Sequence, residues 1–172
     1  GLLTLPYFAE FGQNGKVTCW RFVSNWSSYY YTDWGSQKMY YDLATGVATH
    51  ALPQVGEPLG EDVLRFYVSN LQGAGVIQVG SMSSATDSTS FVPFFSRVLD
   101  ANSVNMEIGF ELPALPEGHS FLALRLINNS EIQILLGIKD FSIQEKSDCE
   151  TPTQLMASSV THNAAQISWV PL

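Results

Sequence analysis

Residues 63–95, VLRFYVSNLQGAGVIQVGSMSSATDSTSFVPFF, decide the fold of this chain. Within residues 64–69, apolar side chains alternate with more polar ones, and this period of two predicts a strand with one buried face. The link over residues 70–75 contains two glycines, which readily adopt the backbone angles of tight turns. A second strand is predicted over residues 76–82, before a loop rich in serine and threonine. Two strands joined by such a link predict a β-hairpin.

Further strands are predicted after this stretch. Residues 104–112 alternate most clearly, and FLALRLIN (121–128) and EIQILLGIKDFSI (131–143) follow. In the last segment the apolar residues move from even to odd positions, which predicts a β-bulge near Lys139 and Asp140. Short strands separated by turn signals, without a convincing helix, predict an all-β sandwich.

The first 60 residues are less regular. An aromatic segment over residues 26–34 is interpreted as a loop or an irregular strand, followed by a strand over residues 37–43. Residues 51–60 are rich in proline and glycine, which predicts a connection between elements.

The composition of the chain limits its size class and its partners. Its 172 residues are 45% hydrophobic and 14% charged, which suits one domain with a buried core plus a fragment. With 8 Lys and Arg against 16 Asp and Glu, the net charge of −8 argues against a nucleic-acid partner. No apolar run approaches the roughly 20 residues of a membrane span. The sequence begins at Gly1 without a signal peptide, and we interpret it as a processed or trimmed piece.

Several motifs support a more specific interpretation. V-G-x-M lies at residues 79–82, Asp87 lies in the following loop, F-V-P lies at residues 91–93, and IKDFSI forms a closing strand at residues 138–143. The opening PYFAEF (6–11) completes a pattern that resembles the choice-of-anchor J domains, relatives of cleaved-adhesin and MAM-type jelly rolls. This resemblance implies a jelly-roll-like antiparallel β-sandwich over residues 1–146. It also implies a non-catalytic adhesive or ligand-binding module of a secreted or cell-surface multidomain protein, outer-membrane-anchored or extracellular, of Bacteroides-like bacteria.

The last residues form a separate segment. CETPTQLMASSVTHNAAQISWVP (149–171) resembles the opening two strands of a fibronectin type III domain, which has an immunoglobulin-like fold. It is far shorter than the roughly 100 residues of such a sandwich. Residues 147–172 are therefore predicted to be a linker and a truncated fragment of a second domain. We expect Ile167 and Trp169 to bury against the jelly roll or against another chain.

Motifs for catalysis are missing from the sequence. It contains no G-x-S-x-G, H-E-x-x-H, phosphate loop or C-x-x-C. His50, His119 and His162 fall in separate apparent loops and are interpreted as solvated, although a triad assembled by folding is left open. Glu107 and Glu111 share a strand face at roughly 13 Å, beyond the roughly 5–9.5 Å between glycosidase carboxylates. The chain is therefore predicted not to be an enzyme.

A calcium site is the one metal site that the resemblance suggests. Choice-of-anchor J domains often carry Asp-Phe-Glu on the first strand and Asp-Asp near the last, and these carboxylates can share Ca²⁺. At the matching positions this chain has Glu10, Phe11 and Gly12, then Lys139 and Asp140. Since a glycine and a lysine interrupt the pattern, no metal or cofactor is predicted, and Glu10 and Asp140 remain only residual candidates. Pairing of one of them with Lys139 is favoured.

The aromatic cluster gives the candidate ligand site. Sugar rings stack on exposed Trp and Tyr rings, whose polar groups tolerate the wet rim of such a site. Trp20 and Trp26 are interpreted as core residues. Three consecutive tyrosines in extended backbone cannot all face the core. The predicted site consists of Trp34, Tyr29, Tyr30, Tyr31, Asp33 and Gln37.

Three functions remain open. The first is a carbohydrate-binding or adhesion module whose partner is a glycan or a host or surface protein. The second is a structural spacer or protein-interaction domain, and the third is an accessory domain of a larger hydrolase. An exposed, near-planar aromatic set would favour glycans, whereas a flat apolar patch without polar groups would favour a protein.

Cys19 and Cys149 are the two cysteines of the chain. An extracellular setting would permit a disulfide bond between them. The first and last strands of a sandwich often lie side by side, which would bring the two cysteines together, and two free thiols are the alternative.

Overall fold

The computed structural model describes residues 2–9, 11, 20–24, 28–33, 38–56, 58–101, 103–128, 130–146, 153–158 and 166–170. Most of these residues lie in β-strands, and two sheets pack face to face as a sandwich. Their strands pair antiparallel, except that Leu2 and Leu3 pair parallel with Gln54 and Val55. The predicted all-β sandwich is therefore confirmed. In the described part of the chain, no helix has the length and apolarity needed to cross a membrane.

Within the described residues, the two large sheets each contain six strands. Sheet A has the spatial order β1 (Leu2–Leu3), β6 (Gly46–Val55), β11 (Phe121–Asn128), β8 (Gly75–Met82) and β9 (Val92–Leu99), with β3 (Arg21–Ser24) also paired to β6. Sheet B has the order β10 (Met106–Glu111), β7 (Asp62–Gln72), β12 (Ile134–Glu145), β5 (Lys38–Leu43) and β4 (Ser28–Asp33), with β2 (Tyr7–Phe8) also paired to β12. β13 (Thr153–Ser158) and β14 (Gln166–Val170) form a separate antiparallel pair.

The predicted hairpin of residues 63–82 is wrong. Both strands exist, but β7 pairs with β10 and β12 in sheet B, whereas β8 pairs with β9 and β11 in sheet A. The link between them crosses from one sheet to the other through Gly73, which has a φ of 75°. A Cβ atom at Gly73 would lie 2.6 Å from the carbonyl oxygen of Gln133. The link is therefore packed against the segment before β12, and a glycine is needed there.

The predicted connection over residues 51–60 is also wrong in its first half. β6 continues as a strand to Val55, and Ala51, Leu52 and Pro53 are buried. Proline removes a ladder hydrogen bond and is tolerated within sheets at bulges. Pro53 lies where the register between β6 and β11 shifts.

The predicted bulge in the closing strand is confirmed. The register between β12 and β7 shifts between Lys139 and Ser142, and Asp140 has a φ of 53°. Before the bulge the even-numbered Leu136 and Ile138 are buried, and after it the odd-numbered Phe141 and Ile143 are buried. The predicted strand began too early, because Ile132 lies outside β12 and is 58% exposed.

The core lies between the sheets and is centred on aromatic rings. Phe141 stacks on Phe66 with ring centroids 5.7 Å apart, and Trp20 meets Phe141 edge-on at 5.1 Å. The indole Nε1 of Trp20 donates a hydrogen bond of 2.6 Å to the Tyr7 hydroxyl. The interpretation of Trp20 as a core residue agrees with this packing, whereas Trp26 lies outside the described residues.

The C-terminal segment forms the two strands that the sequence predicts. β13 and β14 pair antiparallel with a register shift between Thr153 and Met156. The expected burial of Ile167 and Trp169 concerns side chains outside the described part of the chain.

Candidate functional site

The tyrosine segment forms β4, a regular strand rather than a loop. β4 pairs with β5 so that Tyr29, Tyr30 and Tyr31 stand opposite Asp42, Tyr41 and Tyr40, and Asp33 stands opposite Lys38. The backbone of these predicted site residues therefore lies in the last strand of the order of sheet B. Trp34 and Gln37, and the side chains of β4, lie outside the described residues.

The neighbouring strands present two tyrosines on the outer face of sheet B. In β5 the buried Met39, Tyr41 and Leu43 alternate with the partly exposed Lys38, Tyr40 and Asp42. In β7 the partly exposed Tyr67 lies between the buried Phe66 and Val68. Tyr40 and Tyr67 therefore face away from the core.

Gly137 of β12 lies between the two tyrosines, and no side chain projects from the sheet there. A Cβ atom at Gly137 of β12 would lie 3.0 Å from Cε1 of Tyr40, so the tyrosine ring lies across the glycine backbone. The ammonium group of Lys139 lies 5.3 Å from the centroid of the Tyr67 ring. We call Tyr40, Gly137, Lys139 and Tyr67 the outer-face platform.

The two tyrosines are far apart on this platform. Gly137 of β12 pairs with Tyr40 on one side and with Ser69 on the other. Tyr67 therefore lies two strands away from Tyr40 across the sheet. It is also offset from Tyr40 by two residues along the strand direction. Strand spacings of about 4.8 Å and a rise of about 3.4 Å per residue place the two Cα atoms about 12 Å apart.

Polar groups border the platform on the side of β10. A groove of about 450 Å³ is lined by Val63, Arg65, Glu107, Gly109, Phe110 and Glu111. Arg65 Nη1 lies 3.8 Å from Glu107 Oε1, and Lys146 Nζ lies 2.5 Å from Glu111 Oε1. Both glutamates are exposed, which agrees with their interpretation as a solvated strand face.

Sequence reasoning missed Tyr40, Tyr67 and a third aromatic residue, Phe8. Phe8 stands opposite Ser142 of β12 in sheet B and is 59% exposed. The signal for Tyr67 was available, because it occupies an outward position in the alternating pattern of residues 64–69.

The interpretation of His50 as a solvated loop residue is wrong. His50 lies in β6 with no exposed surface, and the rings of Trp20, Phe22 and Tyr41 surround it at centroid distances of 5.7, 5.0 and 5.5 Å. Its Nδ1 shares a hydrogen bond of 2.7 Å with the Tyr41 hydroxyl. Burial disfavours the charged imidazolium and lowers the pKa of His50 to about 3. The histidine was misassigned because the strand that contains it was not predicted.

Folding also brings one serine to a histidine. Ser81 Oγ and His119 Nδ1 lie 2.8 Å apart. Ser81 has no exposed surface, so its hydroxyl cannot reach a bound substrate. His162 lies outside the described residues.

The residual metal candidates are not brought together in the described residues. Asp140 is exposed and pairs with the neighbouring Lys139 at 3.7 Å, whereas Glu10 lies outside the described part of the chain. Among described residues, no group of three His, Cys, Asp or Glu side chains is arranged to hold a metal ion. Cys19 and Cys149 also lie outside the described residues, so their pairing stays a prediction.

We expect the melting temperature to be the same in millimolar calcium and in EDTA. Lys139 places an ammonium group beside Asp140, and this positive charge opposes cation binding. A ligand that binds only the native state would raise the melting temperature. Thermal unfolding with each additive checks this prediction, and a calcium-dependent rise would contradict it.

The fold is similar to adhesin and carbohydrate-binding domains. The K3 cleaved adhesin domain of Lys-gingipain from Porphyromonas gingivalis W83 matches with a TM-score of 0.60 and 14% identity, covering 81% of this chain and 99% of that chain. CBM1 of BiXyn10A matches with a TM-score of 0.52 and 10% identity, covering 84% and 100%. TmCBM61, solved with β-1,4-galactotriose, matches with a TM-score of 0.50 and 11% identity, covering 80% and 95%.

Identities this low establish a common jelly-roll fold and nothing finer. No family model matches the sequence, and no curated protein matches it.

Proposed function

We propose that the chain is a non-catalytic glycan-binding or adhesion module whose ligand lies along the outer-face platform of sheet B. This proposal rests on one observation: Tyr40 and Tyr67 are partly exposed, and they flank Gly137, which has no side chain. Aromatic faces stack on the apolar faces of sugars, and nearby charged groups orient the hydroxyls. The similar folds of a cleaved adhesin domain and of two carbohydrate-binding modules support the same class of function.

We propose that the tyrosine cluster predicted from the sequence extends the outer-face platform. Tyr31 stands opposite Tyr40, and Tyr29 stands opposite Asp42 in the next outward row of β5. We propose that Trp34, Asp33 and Gln37 complete a binding surface with these two positions at the edge of sheet B. Tyr30 stands opposite the buried Tyr41, in an inward row of β5, and is not part of this surface. The platform and the cluster then belong to one site rather than two.

The ligand is an oligosaccharide rather than a single sugar. The Cα atoms of Tyr40 and Tyr67 lie about 12 Å apart, a separation that suits several linked sugars better than one ring. Both stacking contacts form only when several linked sugars lie across β5, β12 and β7. Affinity therefore increases with chain length until both tyrosines are covered.

The wider setting of the module is part of the same proposal. Residues 1–146 form a choice-of-anchor J type domain, and residues 147–172 begin a fibronectin type III domain. The protein is secreted or displayed at the cell surface among further domains. A shallow site with a dissociation constant on the order of 0.1–1 mM, or a binding free energy of about −4 to −5.5 kcal/mol, suits such a protein. Linked modules then raise the overall avidity.

A calorimetric titration with β-1,4-linked galacto-, gluco- and xylo-oligosaccharides of one to six sugars tests the proposal. We expect at least one series to bind, with a tri- or tetrasaccharide at least tenfold tighter than its monosaccharide. The double variant Tyr40→Ala/Tyr67→Ala is expected to lose at least tenfold in affinity, because both stacking surfaces are removed. Trp34→Ala is expected to abolish binding with a nearly unchanged melting temperature.

Val98→Ala serves as the control, because Val98 lies on β9 of sheet A and is 73% exposed. Its affinity should equal that of the native protein. Equal affinity of the double variant would contradict the proposed site. If no oligosaccharide binds, the glycan proposal is wrong, and the spacer or protein-interaction function takes its place.

A further inference from the structure

A second recess lies on the opposite side of the sandwich, on the outer face of sheet A. It has a volume of about 380 Å³ and lies between β6 and the loop that follows β8. Its lining includes Arg21, Pro53, Gln54, Ser84, Thr86 and Phe121. We call it the sheet A pocket. Its volume falls within the roughly 300–1,000 Å³ of small-molecule sites.

The sheet A pocket is positively charged, although the chain as a whole is negatively charged. The whole sequence carries a net charge of −8. Another groove is lined by Glu61, Asp62 and Glu145, and Lys146 is the one cation among its described lining residues. Among the described residues that line the sheet A pocket there is one guanidinium group, Arg21, and no carboxylate.

The wall of the pocket is held in place by Arg125. Its Nη2 donates a hydrogen bond of 2.5 Å to the Ser88 carbonyl, and its Nε donates one of 3.2 Å to Thr49 Oγ1. The guanidinium carbon also lies 3.8 Å from the centroid of the Phe91 ring. These contacts fasten the loop of residues 83–90 to the outer face of sheet A.

Two further features fix the same loop. Asp87 Oδ1 accepts hydrogen bonds from the backbone N–H of Thr89 at 2.9 Å and from its hydroxyl at 2.6 Å. Gly80 leaves room for Phe91, because a Cβ atom there would lie 2.6 Å from the Phe91 ring. The Asp87 Oδ1 atom is therefore engaged within the loop, and the wall is preorganised before any ligand arrives.

The polar groups of the pocket point to a ligand with both an anion and hydroxyls. Arginine binds carboxylates through two parallel hydrogen bonds. Gln54 offers an amide, and Ser84 and Thr86 offer hydroxyls whose oxygens lie 3.2 Å apart. Phe121 is partly buried beside them and supplies an apolar surface for a ring.

We infer that the sheet A pocket binds an acidic sugar, a hexuronate whose carboxylate pairs with Arg21. The hydroxyls of the sugar bond to Gln54, Ser84 and Thr86, and one ring face packs on Phe121. This site is separate from the outer-face platform and does not depend on it, because the two lie on opposite faces of the sandwich.

The test is an NMR titration of the native protein with methyl glucuronide, methyl glucoside and acetate. Amide shifts are expected at Gln54 and Thr86, with a dissociation constant for methyl glucuronide on the order of 1 mM, as suits a ligand of about 14 non-hydrogen atoms. Methyl glucoside lacks the anion and acetate lacks the hydroxyls and the ring. Each should bind at least tenfold more weakly. Raising the salt concentration should weaken the binding of methyl glucuronide.

Arg21→Gln removes the guanidinium and should weaken the binding of methyl glucuronide at least tenfold with an unchanged melting temperature, because Arg21 is exposed. Arg97→Gln removes one positive charge from β9, outside the pocket, and should leave the affinity unchanged. The inference is overturned if methyl glucuronide does not bind, or if Arg21→Gln binds it as the native protein does. Equal binding of acetate would also overturn it, since the pocket would then be a site for any anion.

Discussion

Replacing Phe141 with alanine is expected to lower the free energy of unfolding by about 3–5 kcal/mol, the usual cost of removing a buried phenylalanine. The ring is 1% exposed and packs against Phe66 and Tyr7 of sheet B and against Trp20, which precedes β3. Its loss leaves a cavity where the two sheets meet, and urea unfolding followed by tryptophan fluorescence measures the change.

Phe8→Ala is the matched control for this variant. It removes the same ring from β2, which pairs with β12 beside Phe141, but Phe8 is 59% exposed. Its effect should stay below about 1 kcal/mol. Similar losses for both variants would mean that Phe141 is not at the centre of the core.

Stability is expected to fall between pH 6.5 and pH 3 because of His50. The pKa of His50 is about 3 in the folded protein, against about 6.5 in the unfolded chain. Above pH 6.5 the imidazole is neutral in both states and contributes no pH dependence. Below pH 6.5 the unfolded chain takes up a proton that the folded protein excludes, so unfolding becomes easier. Between pH 7 and pH 5 this amounts to about 2 kcal/mol.

His50→Gln separates this effect from the titration of carboxylates. The variant should be less stable at pH 7, because glutamine does not fill the space among Trp20, Phe22 and Tyr41. Its free energy of unfolding should nevertheless decline less between pH 7 and pH 5 than that of the native protein. His119→Gln should keep the native pH dependence. An unchanged slope in His50→Gln would contradict the buried, neutral state of His50.

Local periodicity predicted most strands, but it could not assign their partners. The alternation within residues 64–69 located β7 correctly, and the change of phase in the closing strand located the bulge at Asp140. The partners of β7 are β10 and β12, which are distant in sequence, so the short link to β8 suggested a hairpin that does not form. Pairing depends on how the whole chain closes its core.

β6 was missed because its sequence lacks a clear period. Residues 48–53 are buried on both faces of sheet A, so apolar and polar residues do not alternate there. The outward residues of β6 and β11 are covered by Phe91 and its loop, a contact that only the folded chain creates. His50 was misassigned for the same reason.

The candidate site was predicted in type and in neighbourhood, but not in full. The tyrosines of β4 were recognised because three in succession cannot all be core residues. Tyr40 was placed in the right strand, but its place beside Gly137 depends on the pairing of β5 with β12. Tyr67 comes from a strand 27 residues later in the sequence. The sheet A pocket unites residues from four distant segments, so no local pattern could indicate it.

The most direct test of the proposed function is to map where an oligosaccharide binds by ¹⁵N–¹H NMR. The native protein is titrated with the tightest binder of the oligosaccharide series, and the shifted amides are assigned. The proposal predicts shifts in β5, β12 and β7, strongest near Tyr40, Gly137 and Tyr67. Shifts confined to sheet A, or to loops away from these strands, would contradict it.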